Sequence, residues 1–165
     1  MPDPQANAIR TATLKSGITR ITLHGVPHEF GLAAKFFKEL GGENINVDDI
    51  IQSVSSAGKN VTMSFVVSAE QTEHARTATR AIIEKLGGAE IEITENLARL
   101  RVVGMGMRSH SGVAGKLFET VANEGINIEN ISTGEIVISI LIAQADGERA
   151  LRVVREAFGL THELE

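Results

Sequence analysis

GVPHEFGLAAKFFKELGGENINVDDII, residues 25–51, is written a second time as GMGMRSHSGVAGKLFETVANEGINIENIS, residues 104–132. Gly31, Ala33, Lys35, Phe37, Glu43, Ile45, Asn46 and Ile50 match Gly112, Ala114, Lys116, Phe118, Glu124, Ile126, Asn127 and Ile131 at a constant offset of 81, which marks an internal duplication. Each copy runs from an apolar strand through a glycine-bounded loop to a helix opened by a glycine, then to Ile-Asn-Val or Ile-Asn-Ile. The loop before the helix differs between the copies by two residues, so the loops are where their uses diverge.

Around this stretch the periodicity supplies the remaining elements. Thr19, Ile21 and Leu23 alternate with Arg20, Thr22 and His24 and predict a strand over 18–24. Leu32, Ala33, Phe36, Phe37 and Leu40 form a helical stripe that Gly41-Gly42 ends. Residues 45–54 read as a strand in which Asp48-Asp49 spoils the alternation, the mark of a bend or an exposed edge. A turn at Ala57-Gly58-Lys59 leads into the alternating Val61, Met63, Phe65 and Val67. Ser68 and Gln71 have the spacing of a capping box, opening a helix with Ala75, Ala78, Ile82, Ile83 and Leu86 on one face; after Gly87-Gly88 a strand covers 89–94. The first copy is βαββαβ.

The second copy repeats the order. It has a strand over 98–103, a loop to Ser111 and a helix with Val113, Ala114, Leu117, Phe118 and Val121 inward. Strands over 126–132 and 135–143 turn at Thr133-Gly134, and Asp146 caps a helix carrying Ala150, Val153, Val154 and Ala157. No closing strand follows Phe158. The N-terminal run 8–14, with Ile9, Thr11 and Thr13 on one face, follows the polar lead-in Met1–Asn7 and is an orphan unless it fills that gap. We therefore expect an α+β protein of two ferredoxin-like βαββαβ domains, with antiparallel sheets and helices on one face. The first domain, 16–95, is inserted in the second, made of 1–15 and 96–165.

Composition bounds the function. With 42% hydrophobic residues, the 165-residue chain can bury a core. A net charge of -5, without Trp or Tyr, gives no footprint for phosphate backbones or base stacking, so no nucleic-acid partner is expected. There is no cysteine for a disulfide or thiolate metal site. No run approaches the roughly 20 apolar residues of a membrane span, and the N-terminus has no signal-like core, so no membrane association and a cytoplasmic location are expected.

The candidate sites are few. Gly104-Met105-Gly106 is a turn rather than a dinucleotide fingerprint, because the next glycine, Gly112, falls too far on and the unit is not βαβ. His24, His28, His74, His110 and His162 lack paired metal-ligand spacing, and no nucleophile elbow or phosphate loop occurs; neither a cofactor nor a metal is expected. What stands out is a glycine at the first turn of each homologous helix. There, free N–H groups and the positive end of the helix dipole favour a carboxylate, with Asn46 and Asn127 beyond the helix as amide partners. A small amphoteric ligand fits that chemistry; the competing reading is that the glycines let helix and sheet pack closely.

Tandem βαββαβ units with GMGMRSHSGVA at 104–114, GINIE at 125–129 and ISTGEI at 131–136 resemble the ACT-domain regulatory region of aspartate kinase. The resemblance implies a chain that senses end-product amino acids, lysine and/or threonine, for a catalytic aspartate kinase subunit and does not itself catalyse. It further implies a homodimer through the ACT domains. Carried over residue by residue, it places effector contacts at His28, Glu29, Phe30, Gly31, Leu32, Ala33 and Gln52, at Asn46, Val47 and Asp48, and on the second unit at Asn127, Ile128 and Gly134.

The chain departs from the family where it matters chemically. His28-Glu29-Phe30-Gly31 stands where Asp-x-Pro-Gly is usual, Ser111 replaces the second loop's proline, and Gly134 stands where serine is usual. Histidine cannot serve as counter-ion to an effector's ammonium, so weakened or altered effector binding is expected unless Glu29 substitutes as the acid. The alternative is a free-standing ACT-domain protein that regulates or scaffolds without a kinase partner.

Overall fold

The computed structural model describes residues 9–104 and 110–160. The lead-in Met1–Asn7, Ala8, residues 105–109 of the second loop and the tail 161–165 lie outside the described residues. In chain order the elements are β1 (Ile9–Pro27), α1 (Leu32–Gly42), β2 (Asp48–Val54), β3 (Asn60–Ser68), α2 (Thr72–Lys85), β4 (Glu90–Gly104), α3 (His110–Asn123), β5 (Asn130–Thr133), β6 (Val137–Ala143) and α4 (Gly147–Ala157). They divide into a first-copy unit, Gly17–Glu95, and a second-copy unit, Met1–Ser16 with Asn96–Glu165.

Ser16-Gly17, between the runs 8–14 and 18–24 that the sequence sets apart, does not separate two strands. β1 runs through it, and β4 likewise joins the two short strands expected over 89–94 and 98–103. The chain crosses between units at Gly17 (φ 72) and Asn96 (φ 56), both left-handed. Glycine enters that region without a Cβ clash and asparagine tolerates it, so the backbone is re-aimed within the strand instead of stopping.

In the first-copy unit the strand order is β2-β3-β1-β4, with Ile21 opposite Phe65 and Gln52 opposite Met63. α1 and α2 cover one face. Ile21, Leu23, Phe36, Leu40, Met63, Phe65, Ala75 and Ile83 form the centre of its core, and the rings of Phe36, Phe37 and Phe65 meet at 5.0–5.7 Å between centroids. Ala33, expected in the stripe, is exposed; Leu32, Phe36 and Leu40 alone in α1 are fully buried. β2 is shorter than expected: Ile45 is buried ahead of it, and Asp49 (φ 48) makes the anticipated irregularity, with a register shift between Asp48 and Ile51.

In the second-copy unit the order is β1-β4-β6-β5. Leu100, Val102, Leu117, Val121, Ile138, Ile140, Val154 and Phe158 centre its core, joined from the N-terminal run by Ile9 and Ala12. Thr13 is exposed and Thr11 only half-buried, so the inward residues of that run are Ile9 and Ala12 rather than an alternating set. Arg155 Nη2 donates to the Ala12 carbonyl at 3.0 Å, tying α4 to that strand. β5 begins at Asn130, after a buried Ile126.

Two helix starts differ from the sequence reading. Ser68 makes no side-chain cap; a 3-10 turn over Ala69–Gln71 precedes α2, and the Gln71 side chain turns away to another loop. Asp146 occupies the N-cap of α4, but its carboxylate accepts from Arg149 at 2.9 Å instead of capping. In both places a charged or amide partner outcompetes the helix's own N–H groups.

The copies also solve helix approach differently. Thr19 and Thr72 share a buried hydrogen bond of 2.7 Å, where the second copy has Ala98 and Gly147. A Cβ on Gly147 would come within 3.0 Å of Leu14 and 3.6 Å of Ala98. Farther along α2, the buried Thr79 hydroxyl has no partner; the matching residue of α4 is Val154.

Thr79→Val is expected to raise stability by about 1 kcal/mol by removing an unpaired buried hydroxyl at constant shape, read as an increase in denaturant midpoint. Deleting residues 1–15 should selectively reduce hydrogen-exchange protection of Leu100 and Ile140 in the second-copy unit while leaving Phe65 protected; equal loss everywhere would contradict the strand's assignment.

Candidate ligand-binding site

The first loop is held from one side by the β2–β3 turn. His28 N–H donates to the Lys59 carbonyl at 2.9 Å, and His28 Nδ1 lies 3.1 Å from the Gly58 carbonyl. A carbonyl only accepts, so this bond places a proton on Nδ1. The imidazole is thereby a structural clamp for the loop.

From the other side the loop is held by α1. Lys35 Nζ meets Glu29 Oε1 at 3.1 Å, and Leu32 N–H reaches the Glu29 carbonyl at 3.3 Å. Glu29, the expected substitute acid, already has a cation. That pair is about half exposed on both sides, and such pairs hold weakly, by about 0–1 kcal/mol, so a second cation can compete for the carboxylate. Phe30 is fully exposed between these anchored residues.

Gly31 sits at the N-cap of α1 in the left-handed region, φ 77, with no side-chain cap and no acidic residue in the first turn. The first intrahelical bond comes from Lys35 N–H to the Gly31 carbonyl at 2.9 Å. The early N–H groups and the positive end of the dipole therefore have no side-chain anion beside them. A Cβ at Gly31 would meet nothing within 4 Å, so close packing is not why glycine stands here; the backbone angle is.

The remaining first-copy residues lie elsewhere. α1 is 11 residues long, about 16 Å at roughly 1.5 Å per residue. His28 to Ala33 gather at its N-terminal end, whereas Asn46, Val47 and Asp48 follow its C-terminal end. The separation exceeds the length of a free amino acid, so one small ligand cannot touch both groups of the same unit. Gln52 is exposed on β2, opposite Met63. In the second-copy unit Asn127 Nδ2 donates to Glu129 at 3.3 Å, Ile128 packs partly against the core, and Gly134 N–H donates to Val137 at 2.8 Å. A Cβ on Gly134 would come within 3.0 Å of Val137 Cγ1, so the side chain usual in the family would press on Val137 here.

The sequence reading missed one residue at this site. Gln71 Oε1 accepts from Asn46 N–H at 3.1 Å while its Nε2 donates to the Asn44 carbonyl at 3.0 Å. The only sequence signal was the capping spacing, which pointed elsewhere.

The family model for the ACT domain matches residues 21–84 and 100–158. An aspartate kinase of Pseudomonas fluorescens is 37% identical over 141 residues, covering 86% of this chain and 34% of that protein. Among solved structures, aspartokinase alpha and beta subunits include a chain that is 36% identical, with a TM-score of 0.83, covering 93% of this chain and 100% of that one. The ligand-free regulatory subunit of aspartate kinase from Thermus thermophilus is 35% identical, with a TM-score of 0.82 and coverage of 92% and 99%. The chain therefore belongs to the ACT-domain family, as the regulatory part of aspartate kinase. It spans about a third of the length of the curated relatives it matches.

Gly31→Ala is expected to destabilise the first-copy unit by about 1–2 kcal/mol through left-handed strain alone, measured by thermal unfolding; an unchanged midpoint would contradict the backbone argument.

Proposed function

We propose that this chain senses an end-product amino acid, lysine or threonine, and passes its occupancy to a catalytic aspartate kinase subunit in the cytoplasm. The observation that carries the reading is the α1 N-terminus: a left-handed Gly31, no cap and no first-turn acid. The effector's carboxylate sits on the N–H groups of Ala33 and Ala34, because Leu32 N–H already reaches the Glu29 carbonyl. Its ammonium competes with Lys35 for Glu29, the nearest carboxylate of the loop. Coupling follows if the ligand binds two arrangements of the regulatory part with different affinity.

A homodimer belongs to this proposal. β2 and β5 are terminal in their units' strand orders and expose Ile50, Ile51, Val54 and Ile131. A second copy beside such an edge covers both the unpaired backbone groups and the β-branched side chains. The chain of similar fold in the aspartokinase alpha and beta subunit structure supports a catalytic partner by analogy.

A second reading is favoured by the engaged loop. With His28 clamped to the hairpin turn and Glu29 paired to Lys35, the domain pair could act without a ligand, as a free-standing regulatory or oligomerisation module. Calorimetry separates the two. Lysine or threonine should bind the wild type, and Glu29→Gln should weaken that binding about tenfold, the scale of a charged hydrogen bond. Micromolar binding that ignores the substitution would refute the role of Glu29; binding of neither amino acid, without co-purification of a kinase subunit, would favour the free-standing module.

A further inference from the structure

We propose that Gln71 is the positioning residue for the segment Asn44–Asp48, and so sets the geometry of the effector contacts assigned to Asn46, Val47 and Asp48, which lie too far from Gly31 of the same unit and would meet an effector seated on the α1 start of a second copy; this rests on the sensing role and the homodimer proposed above. The duplication is the starting point. The 3-10 turns Ala69–Gln71 and Gln144–Asp146 occupy the same place in the two copies. Gln71 thus matches Asp146, and His74 matches Arg149, while Glu43 matches Glu124 at the end of the preceding helix.

In both copies these positions tie the start of the second helix to the end of the first. In the second copy Arg149 donates to the Glu124 carbonyl at 2.6 Å, lies 3.5 Å from its carboxylate and pairs with Asp146 at 2.9 Å. The tie is made by one ion pair and one hydrogen bond from Arg149 to Glu124. In the first copy His74 Nε2 meets the Glu43 carboxylate at 3.2 Å, and Gln71 extends the tie beyond Glu43. Its amide clasps the chain on both sides of Ile45, donating to Asn44 O and accepting from Asn46 N–H.

That clasp acts where the backbone has a costly conformation to hold. Asn44 (φ 58) and Asp49 (φ 48) are both left-handed, and the segment between them carries the candidate contacts. Ile45 is buried and Val47 packs against the core, which fixes depth but not rotation. Backbone bonds from Asn44 N–H to the Gly41 carbonyl and from Ile45 N–H to the Leu40 carbonyl hold the start of the segment, and the two-sided amide bond orients the groups beyond them, because it needs both a donor and an acceptor at fixed spacing. Aspartate at this position, as in the second copy, could accept from Asn46 but not donate to Asn44.

Two substitutions test the assignment. Gln71→Leu removes both bonds, and Gln71→Glu keeps the acceptor for Asn46 while losing the donor. Amide exchange at Asn46 should accelerate about fivefold in Gln71→Leu, the fold-change of one net hydrogen bond, and stay near wild type in Gln71→Glu. Phe65 should keep its protection in both, which separates positioning from general loss of stability. Titrations with lysine and with threonine should show a weaker dissociation constant in Gln71→Leu, by severalfold. Unchanged Asn46 exchange in Gln71→Leu overturns the proposal, as does an unchanged dissociation constant when the wild type binds. If the wild type binds neither amino acid, the sensing role fails, and Asn46 exchange alone then decides whether Gln71 holds the segment.

Discussion

Each βαββαβ unit needs a fourth strand beside its first, and in this chain β1 and β4 each give residues to both units. That economy depends on two left-handed residues, Gly17 and Asn96, where the strands change unit without ending. A β-branched residue at either position would be strained in that conformation. The rest of the architecture follows: the N-terminal run lies at the strand-order end of the second-copy unit, and Arg155 anchors α4 to its Ala12 carbonyl.

Within that frame the two copies keep one scaffold and exchange its chemistry. Paired hydroxyls of Thr19 and Thr72 stand where Ala98 and Gly147 allow a close approach. An unpartnered Thr79 stands where Val154 packs cleanly. A histidine and an amide link the helices of the first copy, and an arginine links those of the second. The first copy is thus more polar where its helices approach the sheet, and its loop is the one that lacks the acid usual in the family.

That departing loop is built for order before it is built for binding. His28 is committed to the hairpin turn and Glu29 to Lys35, while the anion-binding character of the α1 start comes from backbone, independent of side-chain identity. In the proposed sensing role, loss of the usual acid leaves the carboxylate half of amino-acid recognition to the backbone and places the change in the ammonium half. Affinity is the property such a change alters most, because every amino acid carries the same ammonium and carboxylate and a change in their recognition does not discriminate among them.

The sequence by itself determined the duplication, the order of strands and helices and most of the core, because these rest on periodicity: Val61, Met63, Phe65 and Val67 alternate, and Leu32, Phe36 and Leu40 recur at helical spacing, wherever the chain goes. It also carried the family, through the motifs at 104–136. Only the tertiary structure decided what depends on distant competitors. Gln71 reads locally as a cap but is taken by Asn44 and Asn46, 25 or more positions away; Asp146 prefers Arg149 to the helix end; Ser16-Gly17 reads as a stop but bends a strand that continues. A side-chain hydrogen bond goes to whichever partner the fold brings within reach, and local spacing holds no record of that choice.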